Sequence, residues 1–167
     1  ISDLSVEEFH QACKAFKKRC LDLQGDSRFR YMLLFKNFGL SAGASLEHTH
    51  TQLIALPIVP KRVLEELRGA EKYFEFRGRC GYCDMIRQEQ DDKERLVVEN
   101  SMFVAFCPFV SSAPFEVWIL PKTHQTHLVS SSSDTLLAFG KILRDVLRRV
   151  RDRMSNPPYN YIIHSAT

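Results

Sequence analysis

At 167 residues and 44% hydrophobic, the chain is long enough to bury one good core or two small ones. Its net charge of +3 comes from scattered basic residues, which speaks against a nucleic-acid partner, and no apolar run is long enough to cross a bilayer. The start, "ISDLSVEEFH", lacks Met and any signal-peptide pattern, and "YNYIIHSAT" stops just after an apolar run; the expectation is a cytoplasmic, non-secreted piece of a longer protein.

The elements follow in chain order. Ser5-Val6-Glu7-Glu8 reads as a capping box, with Leu4 and Phe9 placed for a hydrophobic staple. Apolar residues then recur at Phe9, Ala12, Cys13, Phe16, Cys20 and Leu23, a helical spacing that Gly25-Asp26 ends. Cys13 and Cys20, on one face of that helix, read as core filling, and His10 on the other face as a solvated residue. "FRYMLLF", Phe29 to Phe35, predicts a buried strand, the glycines at 39 and 43 a loop, and His48 to Pro57 a second strand.

The stretch from Lys61 to Gln90 is polar and reads as irregular. Arg95 to Glu99 and Met102 to Cys107 predict a hairpin turning at Glu99-Asn100-Ser101, and Phe115 to Leu120 a further strand. A second amphipathic helix carries Leu136, Phe139, Leu143, Val146, Leu147, Val150 and Met154, and Asn156-Pro157-Pro158 stops it before a last strand, "YNYIIH". Helix, turn and apolar strand thus occur twice, at Ser5 to Phe35 and at Ser133 to His164. Two similar α+β modules in tandem would account for this, the first lacking its front.

"LEHTHTQL" carries two of the six histidines. Residues two apart on a strand share a face, so His48, His50 and Gln52 line one surface and Thr49, Thr51 and Leu53 the other. Two imidazoles and an amide suit a phosphate-bearing ligand, because imidazole can attack phosphorus and an amide can donate to a phosphoryl oxygen. The preceding "SAGAS" offers backbone N–H groups to phosphates. The competing reading is a plain pair of strand histidines. Cys80-Gly81-Tyr82-Cys83 is a second constellation, whose spacing suggests a metal site or a redox pair before a structural disulfide.

"FKNFGLSAGASLEHTHTQLIALPIVP" resembles the active-site segment of the galactose-1-phosphate uridylyltransferase branch of the histidine-triad superfamily, and "ALPIVP" is closer to its ADP-glucose phosphorylase-like members. The likeness continues through "CGYC", "PFEVWILPKTHQTH" and "PPYNYIIH". It implies a mostly antiparallel sheet with packed helices: 1–60 as the back of a first histidine-triad-like module, 61–95 as a connecting segment, and 96–167 as a second module.

The resemblance also implies roles. His50 would be the nucleophile that takes the nucleotide from a nucleotide sugar, and Gln52 would bind the phosphoryl group. Asn37, Gly43 and Ser45 would contact the phosphates. Cys80, Cys83, His124 and His164 would form one structural zinc site, and His48 would serve a second zinc whose other ligands lie outside this chain. The expected activity is nucleotidyl transfer from ADP-glucose to phosphate or a sugar 1-phosphate, by a homodimer. A hexose-1-phosphate uridylyltransferase, a histidine-triad hydrolase and a non-catalytic zinc-stabilised nucleotide-binding module are the alternatives.

Overall fold

In the computed structural model, which describes residues 3–165, four helices and six strands form two antiparallel three-stranded sheets. The first helix, α1 (Val6–Gln24), begins as its capping box requires: Ser5 Oγ accepts from the Glu8 amide, and Glu8 Oε2 accepts from the Ser5 amide at 2.7 Å. Phe9, Cys13 and Cys20 are buried along one face. His10 is not solvated as expected. Its ring is largely covered and meets Ser133 Oγ at 3.1 Å, because the N-terminus of α4 (Ser133–Arg153) packs against α1.

One sheet has the order β2-β1-β6, from Gln52–Leu56, Tyr31–Phe38 and Tyr159–Ile163. The other is the meander β3-β4-β5, from Leu96–Glu99, Phe103–Phe106 and Trp118–Pro121. The β3–β4 hairpin turns where expected. Asn100 Oδ1 accepts from the Met102 and Phe103 amides, and its Nδ2 donates to the Ala138 carbonyl of α4.

Helix α4 holds the two sheets together. Leu136, Leu143 and Leu147 pack with Phe9 and Cys13 of α1 and with Tyr159 and Tyr161 of β6. Ala138, Ile142 and Val146 cover Phe103 and Ala105 of β4. The opposite face of β4, Val104 and Phe106, packs with Ile86, so this strand is buried on both sides.

The segment read as irregular is instead two helices, α2 (Lys61–Arg77) and α3 (Gly81–Asp92). Val63, Leu64, Leu67 and Ala70 do recur at helical spacing, but charged neighbours dilute the pattern. Gly78, in the left-handed region at φ +69, ends α2, and Tyr73 Oη donates to Asp84 Oδ2 across the junction. The second strand is also shorter than expected: the ladder begins at Gln52, and residues 48–51 run up to it without strand pairing.

Gly39, at φ +84 and ψ 149, turns the chain out of β1 into the loop that leads to the histidines. This region is open almost only to glycine, and an added Cβ would lie 2.9 Å from Pro158 Cβ. Replacing Gly39 by alanine is therefore expected to cost about 1–3 kcal/mol of stability, measured by denaturant unfolding.

Candidate functional site

The β2-β1-β6 sheet has one covered face and one open face. Across the ladders, Phe35 lies opposite Gln52 and Ile162, and Asn37 lies opposite Asn160. Directly opposed residues share a face, so Gln52, Asn37 and Asn160 belong to one side. That side is open around Ile54 and Ile162, which are 42% and 51% exposed, and is covered at the start of β1, where Tyr31 is buried. The other side carries Leu34, Lys36, Tyr159 and Tyr161 and rests on α1 and α4.

Residues 49–51 keep the parity of β2 although they lie outside its ladder. Thr49 Oγ1 and the His50 carbonyl accept from Lys36 Nζ at 2.7 and 2.8 Å, and Thr51 Oγ1 meets Tyr161 Oη at 3.1 Å. Both threonines thus turn to the covered face. Gln52, in the ladder, belongs to the open face, and the His50 side chain, between the two threonines, alternates to the same side, while His48 lies in a bend. Burial lowers the pKa of the Lys36 amine below the ordinary lysine value.

His50 is tied by its own ring. Nδ1 lies 3.0 Å from the His48 carbonyl oxygen. A carbonyl can only accept, so Nδ1 carries a hydrogen, and in the neutral ring Nε2 is the nitrogen with the lone pair. The two rings sit edge to face, with centroids 6.0 Å apart. A neutral imidazole in this tautomer is a competent nucleophile at Nε2.

The glycine loop is built differently from the expectation. The amides of Ala42 and Ala44 donate to the Gly39 carbonyl and that of Gly43 to the Leu40 carbonyl, so three N–H groups are spent within the loop. Asn37 Nδ2 donates to the Gly43 carbonyl at 3.2 Å, and Asn160 Nδ2 reaches Asn37 Oδ1 at 2.6 Å and the Ala42 carbonyl at 2.8 Å. Gly43 takes the left-handed φ of +80 that closes the turn, and Ser45 is exposed beyond it. Asn160, which the sequence did not single out, holds both Asn37 and the loop; a polar residue alternating with Tyr159 and Tyr161 was its only signal.

A second group forms at the start of α3. Cys80 is the N-cap and Cys83 lies in the first turn, so both sulfurs leave the same end of the helix. With His124, from the loop after β5, their ligand atoms all lie within 4.8 Å of one another. Cys83 Sγ and His124 Nδ1 are 3.4 Å apart. That matches the ~3.5 Å edge of a tetrahedron with ~2.3 Å metal–sulfur and ~2.0 Å metal–nitrogen bonds, so the donors fit zinc. Tyr82, between the cysteines, packs against Trp118 of β5 at 6.4 Å, which brings α3 to the strand that delivers His124.

Burial, then the neighbouring Cys80 sulfur, pushes the Cys83 thiol up. The case for a metal rests on the convergence of Cys80, Cys83 and His124, since a bare dithiol needs no histidine within ligand distance.

His164 is not brought into this group. Its Nδ1 lies 3.0 Å from Glu66 Oε2 of α2. Glu66 is another residue that the sequence reading missed, because the helix carrying it was not recognised. Burial raises the Tyr82 hydroxyl pKa, with the charges of Glu66 and Cys80 adding to it.

Removing the Asn160 amide would cut the loop loose without opening the core, since the residue is exposed. Asn160→Leu is expected to speed amide exchange at residues 42–44 by about fivefold, equivalent to one lost hydrogen bond of about 1 kcal/mol. Hydrogen–deuterium exchange with mass spectrometry reads this directly.

Comparison with known proteins gives this geometry a family. Residues 66–167 match the model of the galactose-1-phosphate uridyl transferase C-terminal domain, and residues 1–59 match the N-terminal domain of a family of unknown function. The chain is 36% identical over 166 residues to an ADP-glucose phosphorylase of Arabidopsis thaliana, covering 99% of this chain and 46% of that protein. It is 29% identical over 160 residues to a galactose-1-phosphate uridylyltransferase of Thermotoga maritima, covering 96% and 49%. The crystal structure of an Arabidopsis thaliana ADP-glucose phosphorylase with bound ADP-glucose superposes with a TM-score of 0.92 at 36% identity, over 99% of this chain and 51% of that one. A uridylyltransferase structure superposes at 0.93 and 30% identity, over 99% and 52%. The chain therefore spans about half the length of the relatives it matches. With two antiparallel sheets and these likenesses along nearly all its length, the chain belongs to the galactose-1-phosphate uridyl transferase family.

Proposed function

We propose that the protein transfers a nucleotidyl group from a nucleotide sugar, ADP-glucose by preference, through a covalent intermediate on His50. The observation that carries this reading is the 3.0 Å contact from His50 Nδ1 to the His48 carbonyl, which puts a hydrogen on Nδ1 and makes Nε2 the lone-pair nitrogen of the neutral ring. Nε2 attacks the α-phosphorus, the bond from phosphorus to the sugar 1-phosphate oxygen breaks, and that oxygen leaves with the electron pair. The charge that develops on the ring is spread through Nδ1–H to the carbonyl.

An oxygen of phosphate, or of another sugar 1-phosphate, then attacks the same phosphorus and the phosphorus–nitrogen bond breaks, restoring His50. Gln52, on the same face, donates to a phosphoryl oxygen during both steps. Asn37, Gly43 and Ser45 bound the phosphate site, with Asn160 holding Asn37 in place. The preference for ADP-glucose rests on likeness to the Arabidopsis thaliana phosphorylase.

Zinc at Cys80, Cys83 and His124 would supply structure rather than chemistry, tying α3 to the loop after β5. His164, expected as the fourth ligand, is held instead by Glu66 and lies outside this group, and we read His48 as serving a second zinc with ligands outside these residues. We also read 1–60 and 96–167 as parts of two histidine-triad-like modules, joined by 61–95, in a homodimer.

Two measurements test the reading on the full-length protein. Incubation with ADP-glucose labelled at the α-phosphate is expected to leave acid-labile, alkali-stable label on the protein, and His50→Ala to leave none; labelled UDP-glucose alongside identifies the base. Label retained in His50→Ala, or none from either donor in the folded wild type, would sink the proposal. For the metal group, Cys80→Ser is expected to lower bound zinc by about one equivalent and to lower the melting temperature. Unchanged zinc by elemental analysis would refute the assignment.

A further inference from the structure

Lys36 is among the most completely buried side chains of the protein, at 1% exposure, yet it lies on the face of β1 that packs against the helices. A cationic amine removed from water is costly unless oxygens replace its hydration, and an apolar side chain of the same length would fill the space more cheaply. The two oxygens given to Lys36 are Thr49 Oγ1 at 2.7 Å and the His50 carbonyl at 2.8 Å. Both belong to the segment before β2, where the chain has no strand pairing to hold it.

Lys36 is paired across the β1–β6 ladder with Tyr161, whose hydroxyl meets Thr51 Oγ1 at 3.1 Å. From the covered face, these two side chains therefore grip residues 49, 50 and 51 in succession. The ring of His50 belongs to the other face of the same backbone.

We propose that Lys36 is a positioning residue: by holding the His50 carbonyl and the Thr49 hydroxyl from behind, it fixes the backbone from which the His50 ring reaches the substrate phosphorus. The proposal rests on the reading of His50 as nucleophile. Lys36 itself touches no substrate. Its effect comes through His50, whose ring would otherwise swing on an unpaired stretch of chain. Displacing a reacting group by about 1 Å can cost about a hundredfold in rate.

The test uses Lys36→Met, which keeps the length of the side chain and removes the donor. Label from α-phosphate-labelled ADP-glucose is followed in a single turnover of the full-length protein, over a range of donor concentrations. The rate constant for labelling is expected to fall by about tenfold to a hundredfold, while the donor concentration giving half-maximal rate stays within about twofold. Thr49→Val, at an exposed position and removing one of the two acceptors, is expected to lower the same rate constant by about threefold to tenfold, and it carries the test if Lys36→Met does not fold.

Wild-type rates in the folded variants, or a loss confined to donor affinity, would overturn the proposal. Absence of label from the wild type would instead overturn the reading of His50 beneath it.

Discussion

The antiparallel ladder between β1 and β6 is the constraint on which the site depends. It pairs residues 34–38 with residues 159–163 and brings the two ends of the chain into one sheet. Because side chains alternate along a strand, the register of this one ladder decides which residues meet the helices and which meet solvent. As paired, Lys36 and Tyr161 turn to α1 and α4, while Asn37 and Asn160 turn out beside Gln52. A slip of β6 by one residue would bury Asn160 and expose Tyr159 and Tyr161, while β1 kept its faces through its pairing with β2. Packing of Tyr159 and Tyr161 against Leu136, Leu143 and Leu147 of α4 opposes that slip.

From this register the chemistry follows in steps. The covered face supplies hydrogen bonds to residues 49–51, which leaves the His50 side chain, alternating with the threonines, to the other side. The His48 carbonyl then sets the tautomer of His50. Rigid elements thus hold the nucleophile segment although that segment is not itself part of the sheet, and the glycine loop is braced in the same way by Asn37 and Asn160. The cysteine group stands apart, where α3 meets the loop after β5, and its geometry suits a structural role in joining them.

Much of this was legible in the sequence where one local rule dominated. The capping box of α1, the apolar spacing of α4 and the hairpin around Asn100 each follow from residues within a few positions. The spacing gave the face of Gln52, the one of the three that lies in the ladder, whereas His48 falls in a bend that the strand rule does not reach. Helices α2 and α3 were hidden because Val63, Leu64 and Leu67 sit among arginines, glutamates and lysines, so the apolar stripe is thin. Lys36, Glu66 and Asn160 were hidden for a different reason. Each acts through a partner distant in sequence, such as His164 for Glu66, and no local pattern reports such a pairing.

The most direct test of the central claim is a crystal structure of the full-length protein with a nucleotide sugar bound. The open face of the β2-β1-β6 sheet should hold the α-phosphorus within about 3–3.5 Å of His50 Nε2, with Gln52 and Asn37 toward its oxygens. A nucleotide bound on another surface, or an α-phosphate facing His50 Nδ1 with the bond to the His48 carbonyl broken, would contradict it.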